Sequence, residues 1–223
     1  MKKTLFLITG LLAFEIFSFR SAAQEAAKTG FNVNIDIFSS YIWRGTRLGT
    51  GPHIQPSVTY SAGGFTAGVW GSFNAAGYSE ADPYISYKFP FGLSLGVTDY
   101  YYPGFKFSDF STGTGSHAIE LNAGFSKGVV NLSANYIVNE AGNAGSYGKD
   151  VYFEAGGTFS SFSIFAGAGN GWHTSNGKFN LCNVGISTVK KIAITDRFSL
   201  PLTGKIIFNP DRQDLFVVAG FSF

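Results

Sequence analysis

The chain contains three histidines, His53, His117 and His173, the residue type that most often acts as a general base in enzymes. Each falls at or near the end of a predicted strand, where a histidine could act as the base of a hydrolase. Ser57 is close to His53 in sequence, but a serine triad is defined by geometry, so this proximity is weak support. We expect the three histidines to be solvated rim residues and the chain not to be an enzyme.

Metal and disulfide chemistry find little support in the sequence. The histidines share no paired spacing on a common element, which leaves the usual zinc patterns unfilled. Cys182 is the only cysteine, so no intrachain disulfide can form. We therefore expect no metal site and no cofactor.

Five charged side chains are predicted to face the interior of a barrel, because they alternate in sequence with apolar residues. These pore-lining candidates are Asp36, Lys88, Glu120, Glu154 and Lys205. In one interpretation they set the electric field along an aqueous path, as charged rings do in channels. In the other they pair with one another and plug a narrow barrel. The sequence leaves both interpretations open.

Two arginines, Arg44 and Arg47, fall in the first long loop and are candidates for the extracellular rim. Guanidinium groups bind phosphates well, so both are candidate contacts for lipopolysaccharide. The alternative is that they are ordinary solvated loop residues.

The elements that would position these side chains are β-strands, because apolar and polar residues alternate along most of the chain. Residues 31–43 show this clearly, with Val33 and Ile35 alternating with Asn34 and Asp36. Charged residues make up only 13% of the chain, which is low for a soluble domain. No later segment is apolar over the roughly 20 residues that a spanning helix needs. Since only helices and closed barrels satisfy the backbone in lipid, the sequence predicts an all-β, closed antiparallel transmembrane barrel.

Turn residues divide the pattern into about twelve strands of about ten residues, with ten strands as the alternative count. Short turns are predicted near Gly63, Gly92, Gly128 and Ser161, and the other connections are longer and rich in Gly, Ser and Asn. This arrangement predicts short periplasmic turns and longer extracellular loops. Residues 190–197 are long for a periplasmic turn and are predicted to be a strand extension or a β-bulge.

The start of the chain has the order of features found in secretory signal peptides. Two lysines at residues 2–3 precede an apolar stretch over residues 5–14, and small residues follow at 21–23. The alternative, an anchoring helix, is weaker because charged residues interrupt the apolar run. We predict a signal peptide over residues 1–23 and a single outer-membrane barrel domain over residues 24–223.

The last predicted strand, residues 215–223, alternates and ends on Phe223. This looks like the C-terminal insertion signal of outer-membrane barrels, whereas the alternative is an ordinary final strand of a soluble sandwich. We expect an integral protein of the outer membrane of a Gram-negative bacterium. Its expected partners are membrane lipid, lipopolysaccharide and the barrel-insertion machinery.

Several motifs resemble those of the TorF-like porin family. Near the start of the barrel, residues 40–45 read SYIWRG, and further landmarks are GVWGSFN at residues 68–74 and DYYYP at residues 99–103. Residues 198–201 (FSLP) and the terminal strand are similar to the closing hairpin of that family. The resemblance covers nearly the whole chain after the signal peptide and implies a small outer-membrane barrel acting as a porin. It carries over no catalytic residues, and the chain departs from it at residues 190–197.

These observations predict a narrow porin-like channel for the passive diffusion of small polar solutes or ions. The alternatives are a barrel enzyme acting on envelope lipids and a closed structural barrel. A net charge of +2 gives no indication of nucleic-acid binding. The sequence names no solute and marks no oligomer interface.

Overall fold

The structure, a computed structural model, describes residues 29–223. The predicted signal peptide, residues 1–23, lies outside the described residues. Every regular element in the described part is a β-strand. Within residues 29–223, no helix has the length and apolar character that crossing a bilayer requires.

Twelve strands close into one antiparallel barrel, in which neighbours in sequence are neighbours in space and the first strand pairs with the last. The predicted fold is therefore confirmed, and the ten-strand alternative is wrong. The barrel strands are β1 (Gly30–Phe38), β4 (His53–Ala62), β5 (Phe65–Asn74), β6 (Ser79–Lys88), β7 (Leu93–Tyr101), β8 (His117–Lys127), β9 (Val130–Ile137), β12 (Val151–Thr158), β13 (Ser163–Gly171), β14 (Gly177–Thr195), β15 (Phe198–Asn209) and β16 (Asp214–Ser222). Two small hairpins lie in the loops and consist of β2 (Tyr41–Trp43) with β3 (Thr46–Leu48), and β10 (Glu140–Ala141) with β11 (Ser146–Tyr147).

The two ends of the barrel differ in the length of their connections. The longest loops, residues 39–52, 102–116 and 138–150, all lie at one end, called here the long-loop end. The opposite, short-turn end carries tight turns such as residues 63–64 and 128–129. This asymmetry is the one that the spacing of turn residues predicts.

Strands β14 and β15 continue past their neighbours at the short-turn end. The pairing of β13 with β14 ends at Ser163↔Ser187, but β14 and β15 stay paired as far as Thr195↔Phe198. A register shift interrupts this extension between Ala193 and Thr195. Residues 190–197 are therefore both a strand extension and the site of a bulge, which confirms the prediction.

Side chains alternate between an apolar outer face and a polar inner face. Outward residues such as Val58, Val69 and Ile85 are about half exposed, whereas inward residues such as Gln55 and Asn122 are buried. An apolar outer surface of this kind is what a transmembrane barrel presents to lipid. The predicted inward and outward assignments follow from this alternation, since the side-chain period of a strand is two.

The interior is more densely filled at the long-loop end than at the short-turn end. Gln55 and Glu120, in the long-loop half, are at most 3% exposed. Lys88, Asn131 and Thr158, near the short turns, keep part of their surface accessible. The difference arises because part of one long loop lies inside the barrel.

Candidate functional site

The first long loop folds into the barrel instead of extending away from it. Its strand β2 buries three consecutive side chains, since Tyr41, Ile42 and Trp43 are 0%, 1% and 6% exposed. A strand with one face against a wall would bury alternate residues, so both faces of β2 contact other parts of the protein. Residues 41–48, named here the lumen hairpin, thus occupy the long-loop half of the lumen.

Arg44 and Gly45 form the tip of the lumen hairpin. Trp43 pairs with Thr46, which leaves a two-residue turn, and both turn residues have positive φ angles of 48° and 82°, as in a type I′ turn. The left-handed conformation costs an arginine about 1 kcal/mol, because its Cβ crowds the backbone. The contacts of the Arg44 side chain offset this strain.

The guanidinium group of Arg44 is held by charge and by aromatic faces. Nη1 donates to Glu120 Oε2 at 2.6 Å and Nη2 donates to Glu120 Oε1 at 2.8 Å, which is a bidentate ion pair. The guanidinium carbon lies 4.7 Å from the ring centre of Trp43 and 4.5 Å from that of Tyr152. Burial, the largest single effect, lowers the pKa of Arg44, but the charge and hydrogen bonds of Glu120 together with Tyr100 and Tyr152 more than offset it, and the pKa lies above its ordinary value. Arg44 therefore anchors the hairpin to β8 as a cation.

Gly45 packs the tip of the hairpin against β14 and β15, on the other side of the tip from β8. A Cβ atom at this position would overlap the carbonyl oxygen of Cys182 in β14, so only glycine fits. The carbonyl oxygen of Gly45 accepts a hydrogen bond of 3.0 Å from Asn209 Nδ2 in β15. The tip is thus fixed between β8 on one side and β14 and β15 on the other.

Aromatic rings fill the space between the lumen hairpin and the wall. The ring centre of Tyr41 lies 5.5 Å from that of Trp70. The ring of Trp43 lies 5.5 Å from Tyr100 and 4.9 Å from Trp172. Edge and tilted contacts at these distances are favourable aromatic geometries. The hairpin and these rings together narrow the lumen at this level.

Ile42 lies on the other face of β2 and packs across the seam where the barrel closes. The pairing of β1 with β16 is the shortest in the barrel, with three register pairs. Ile42 joins a buried cluster with Phe38 of β1, Ile207 of β15 and Val218 of β16. The lumen hairpin therefore contributes apolar contacts where the strand ladder contributes least.

Three buried carboxylates lie at the level of the hairpin, namely Glu80, Asp82 and Glu120, each at most 1% exposed. Glu120 is paired with Arg44, and Tyr78 donates its hydroxyl to Glu80 Oε2 at 2.8 Å. Burial, together with the charge of Glu80, raises the pKa of Tyr78, which keeps this donor protonated. Neither carboxylate oxygen of Asp82 has a well-formed hydrogen bond to the described protein.

All five predicted pore-lining candidates lie on inward positions of their strands, but they do not form one cluster. Glu154 accepts hydrogen bonds from the Tyr152 hydroxyl at 2.5 Å and from Asn183 Nδ2 at 3.0 Å. Lys205 Nζ lies 4.8 Å from the ring centre of Phe38. Of the others, Lys88 ends β6 near the short turns, Asp36 lies in the second half of β1, and Glu120 holds Arg44. A shared role in lining an aqueous path stays a prediction.

The prediction that places Arg44 on the rim is wrong. Its side chain is only 12% exposed and its charge is paired inside the barrel. The physical reason is that the side chains of Tyr41 and Trp43 are buried in the lumen, so the turn that follows them also lies inside the barrel. Arg47, on β3, remains exposed, with its guanidinium carbon 5.5 Å from the ring centre of Phe216.

The expectation of solvated histidines is also wrong, because the loops cover all three. His53 faces the lumen and is fully buried. Asn74 Oδ1 accepts from the backbone amides of Ala76 and Tyr78, so its Nδ2 donates to His53 Nε2 at 3.0 Å. The ring proton therefore lies on Nδ1, which donates to Ser72 Oγ at 2.9 Å. A general base would instead have to accept the serine proton.

His117 lies on the outer face of the barrel beneath loop 102–116. Its Nδ1 is 2.8 Å from Asp99 Oδ2, and its Nε2 donates to the carbonyl oxygen of Phe107 at 2.6 Å. The ring of Phe110 stacks on the imidazole at 4.2 Å. With both nitrogens engaged, His117 acts as a clasp for this loop.

His173 lies beside the tip of the lumen hairpin and is 1% exposed. Its Nε2 accepts a hydrogen bond of 2.9 Å from Trp172 Nε1. Burial and then the charge of Arg44 lower the pKa of His173 well below its ordinary value, so the ring is neutral. In residues 29–223, no group of three or more His, Cys, Asp or Glu side chains is arranged to hold a metal ion.

Two features escaped the sequence analysis, the lumen hairpin and the inward pair Glu80 and Asp82. The available signal for the hairpin was the run Tyr41-Ile42-Trp43, which breaks the alternation just before Arg-Gly. For the pair, the available signal was that both residues have the same parity in β6 (Ser79–Lys88) as the inward Lys88.

Comparisons with known proteins place the chain in a family. Among solved structures, a triple mutant of the porin of Rh. blastica is similar, with a TM-score of 0.44 and 13% identity. The match covers 77% of this chain and 55% of that porin, so the chain spans about half the length of the porin. The search of curated proteins gave no match. The narrower resemblance to the TorF-like porins stays a prediction.

The family match covers most of the barrel. Residues 22–192 match the family described as "Bacterial protein of unknown function (Gcw_chp)", a span that includes the lumen hairpin and the three buried carboxylates. The chain therefore belongs to the Gcw_chp family of bacterial proteins.

Proposed function

We propose that the chain is a narrow outer-membrane channel for the passive diffusion of small polar solutes or ions, with the lumen hairpin as its constriction. The exposed apolar outer wall supports a position in lipid, in contact with membrane lipid and lipopolysaccharide. The observation that carries the proposal is that part of one loop, the lumen hairpin, lies inside the barrel and packs against inward side chains of the wall. A barrel of this size has an interior wider than that of the small barrels that side chains alone can fill.

Charges on the inner wall favour a channel over a barrel that is only structural. An interior that had only to be filled would be at least as stable with apolar side chains, because buried charges are costly to desolvate. The inner wall nevertheless carries Asp82, Glu120, Glu154 and Lys205. Rings and patches of charge are what ion pathways use to set selectivity.

The enzyme alternative receives less support from the geometry. The imidazole of His53 donates its proton to Ser72 instead of accepting one, and both nitrogens of His117 are engaged. The Nε2 atom of His173 accepts from Trp172. Acyl transfer requires a hydroxyl nucleophile that donates its proton to a histidine base, and none of these three histidines accepts a hydrogen bond from a hydroxyl group.

Single-channel conductance of the folded, purified protein in a planar bilayer tests the proposal. We expect small discrete current steps from the natural chain. A variant in which two glycines replace residues 41–48 should give steps several-fold larger, because the constriction is then absent. The replacement is feasible because Tyr41 pairs with Leu48, so the two ends of the deleted segment are adjacent.

The matched control removes a similar length of chain outside the barrel. Lys191 pairs with Pro201 in the extension of β14 and β15, so replacing residues 192–200 with a tight Asn-Gly turn keeps the register and should leave the step size unchanged. A natural chain that inserts but passes no current would overturn the proposal and favour a closed structural barrel. Equal steps from the hairpin deletion and the natural chain would show that the hairpin is not the constriction.

A further inference from the structure

The level of the lumen hairpin carries more negative than positive charge. Glu80, Asp82 and Glu120 are buried there, and among the described residues Arg44 is the cation paired with one of them, Glu120. The bidentate pairing to Glu120 uses the charge of Arg44. The neighbouring histidines supply no further cation, because the hydrogen bonds of His53 and the lowered pKa of His173 make both rings neutral.

Asp82 is the carboxylate of this group that is available to interact with a cation. Its side chain is 0% exposed, neither of its oxygens has a well-formed hydrogen bond to the described protein, and the polar group that acts on it is the backbone of Tyr101. It lies two residues after Glu80 on the same inward face of β6, and it stands opposite Trp70 of β5 in the strand register. A buried carboxylate that no cationic side chain pairs is expensive, so such groups normally face a cation or a proton.

We propose that Asp82, with Glu80, forms a site for monovalent cations at the constriction and makes the channel cation-selective. The inference rests on the proposed channel function and names the class of ion that it passes. Carboxylates lining a narrow, low-dielectric path raise the local concentration of cations and exclude anions. Aromatic faces such as Trp70 and Tyr41 at the same level favour a partly dehydrated cation in addition.

Glu154, on β12, differs from Asp82 in having cations near it. It feels the charges of Arg44 and Lys205 and accepts hydrogen bonds from Tyr152 and Asn183. Glu154 is therefore an inward carboxylate whose charge already has partners. This makes Glu154→Gln the matched control for Asp82→Asn, since each change removes one inward negative charge.

The first measurement is the reversal potential of the channel in a potassium chloride gradient. We expect potassium to be more permeant than chloride in the natural chain, with the permeability ratio falling about threefold or more in Asp82→Asn. Asp82→Glu should restore the ratio, and Glu154→Gln should change it less. Folding of each variant is checked by the shift in gel mobility before and after boiling. A channel that prefers chloride, or an Asp82→Asn variant that matches the natural chain, would overturn the inference and leave the channel itself standing.

The second measurement needs no current. All three tryptophans of the chain, Trp43, Trp70 and Trp172, lie at the level of the lumen hairpin, so their fluorescence reports ions that reach the site. Thallium(I), a heavy monovalent cation of a size close to potassium, should quench this fluorescence more than iodide does. The quenching by thallium(I) should fall in Asp82→Asn and persist in Glu154→Gln.

The two measurements separate the site from the channel. A silent bilayer combined with Asp82-dependent quenching would overturn the proposed function and keep the cation site. Quenching by thallium(I) that is unchanged in Asp82→Asn would mean that a proton, not a metal cation, neutralises this carboxylate, and the inference would be wrong.

Discussion

Glu120→Gln should destabilise the barrel by releasing Arg44 while keeping the shape of the side chain. Tyr100 and Asn122 donate to Glu120 Oε1 at 3.0 and 2.5 Å, and the amide oxygen of glutamine can still accept these bonds. What disappears is the negative charge facing two guanidinium nitrogens. Leaving one partner of a buried ion pair uncompensated typically costs about 3–5 kcal/mol. Since the Arg44 side chain is 12% exposed, we expect the lower end, about 3 kcal/mol.

The assay is the free energy of unfolding in urea, measured on barrels refolded in lipid vesicles and followed by tryptophan fluorescence. The full cycle adds Arg44→Met and the double variant. The double variant contains no unpaired charge, so its loss of stability should be smaller than the sum of the single losses, by about 2 kcal/mol. In the channel assay, Glu120→Gln should also give larger or more variable current steps, because the hairpin loses its anchor.

Glu154→Gln is the control, because the Glu154 carboxylate is not paired with a guanidinium group. We expect it to lose less stability than Glu120→Gln. The reasoning would be refuted if Glu120→Gln left the free energy of unfolding within about 0.5 kcal/mol of the natural value, or if the two single losses simply added.

Three further predictions address the tip and the surroundings of the hairpin. Gly45→Ala should lower the unfolding midpoint more than Gly51→Ala does, because both glycines have positive φ but only the Cβ at residue 45 meets the wall; thermal melts of the two variants compare them. His173 has a folded-state pKa below 6.5, so its contribution to stability should be present above pH 6.5 and be lost at up to about 1.4 kcal/mol per pH unit on acidification. His173→Gln should flatten that slope in urea titrations at a series of pH values. Asp82→Asn should leave the free energy of unfolding unchanged or raise it by about 1 kcal/mol at low salt, because it removes a buried charge that no cationic side chain of residues 29–223 pairs, while the amide oxygen can still accept from the backbone of Tyr101. A loss of stability in the same titration would contradict this.

The fold could be predicted from the sequence because residues close together in the chain determine each strand of the barrel wall. Alternation over about ten residues determines both the strand and its two faces, so Asp36, Glu120 and Lys205 can be assigned to the inner face without any knowledge of their neighbours. Turn residues then indicate where most of the strands end. Even the irregular part, residues 190–197, could be predicted in kind from its length.

The lumen hairpin could not be predicted in the same way, because contacts between distant residues create it. Arg44 and Glu120 are 76 positions apart, and Gly45 and Asn209 are 164 positions apart. Alternation carries no information about whether a loop turns inward or outward. Residues 31–43 also read as one strand, since Tyr41 and Trp43 have strand propensity, although β1 ends at Phe38.

The lumen hairpin affects both the stability of this barrel and the width of its passage. Its aromatic and aliphatic side chains supply the interior packing that the wall lacks, and Ile42 reinforces the short seam between β1 and β16. A change that withdraws the hairpin, such as Glu120→Gln, should therefore widen the passage and weaken the fold together. Asp82 stands outside this coupling because no side chain of the described residues pairs with it, so its replacement should alter the ions that pass without loosening the barrel. Glu120→Gln should therefore lower the free energy of unfolding, whereas Asp82→Asn should leave it unchanged or raise it. Both carboxylates lie on the inner wall at the level of the hairpin. A lumen that is merely filled would not give this difference, but a constriction held by one ion pair does.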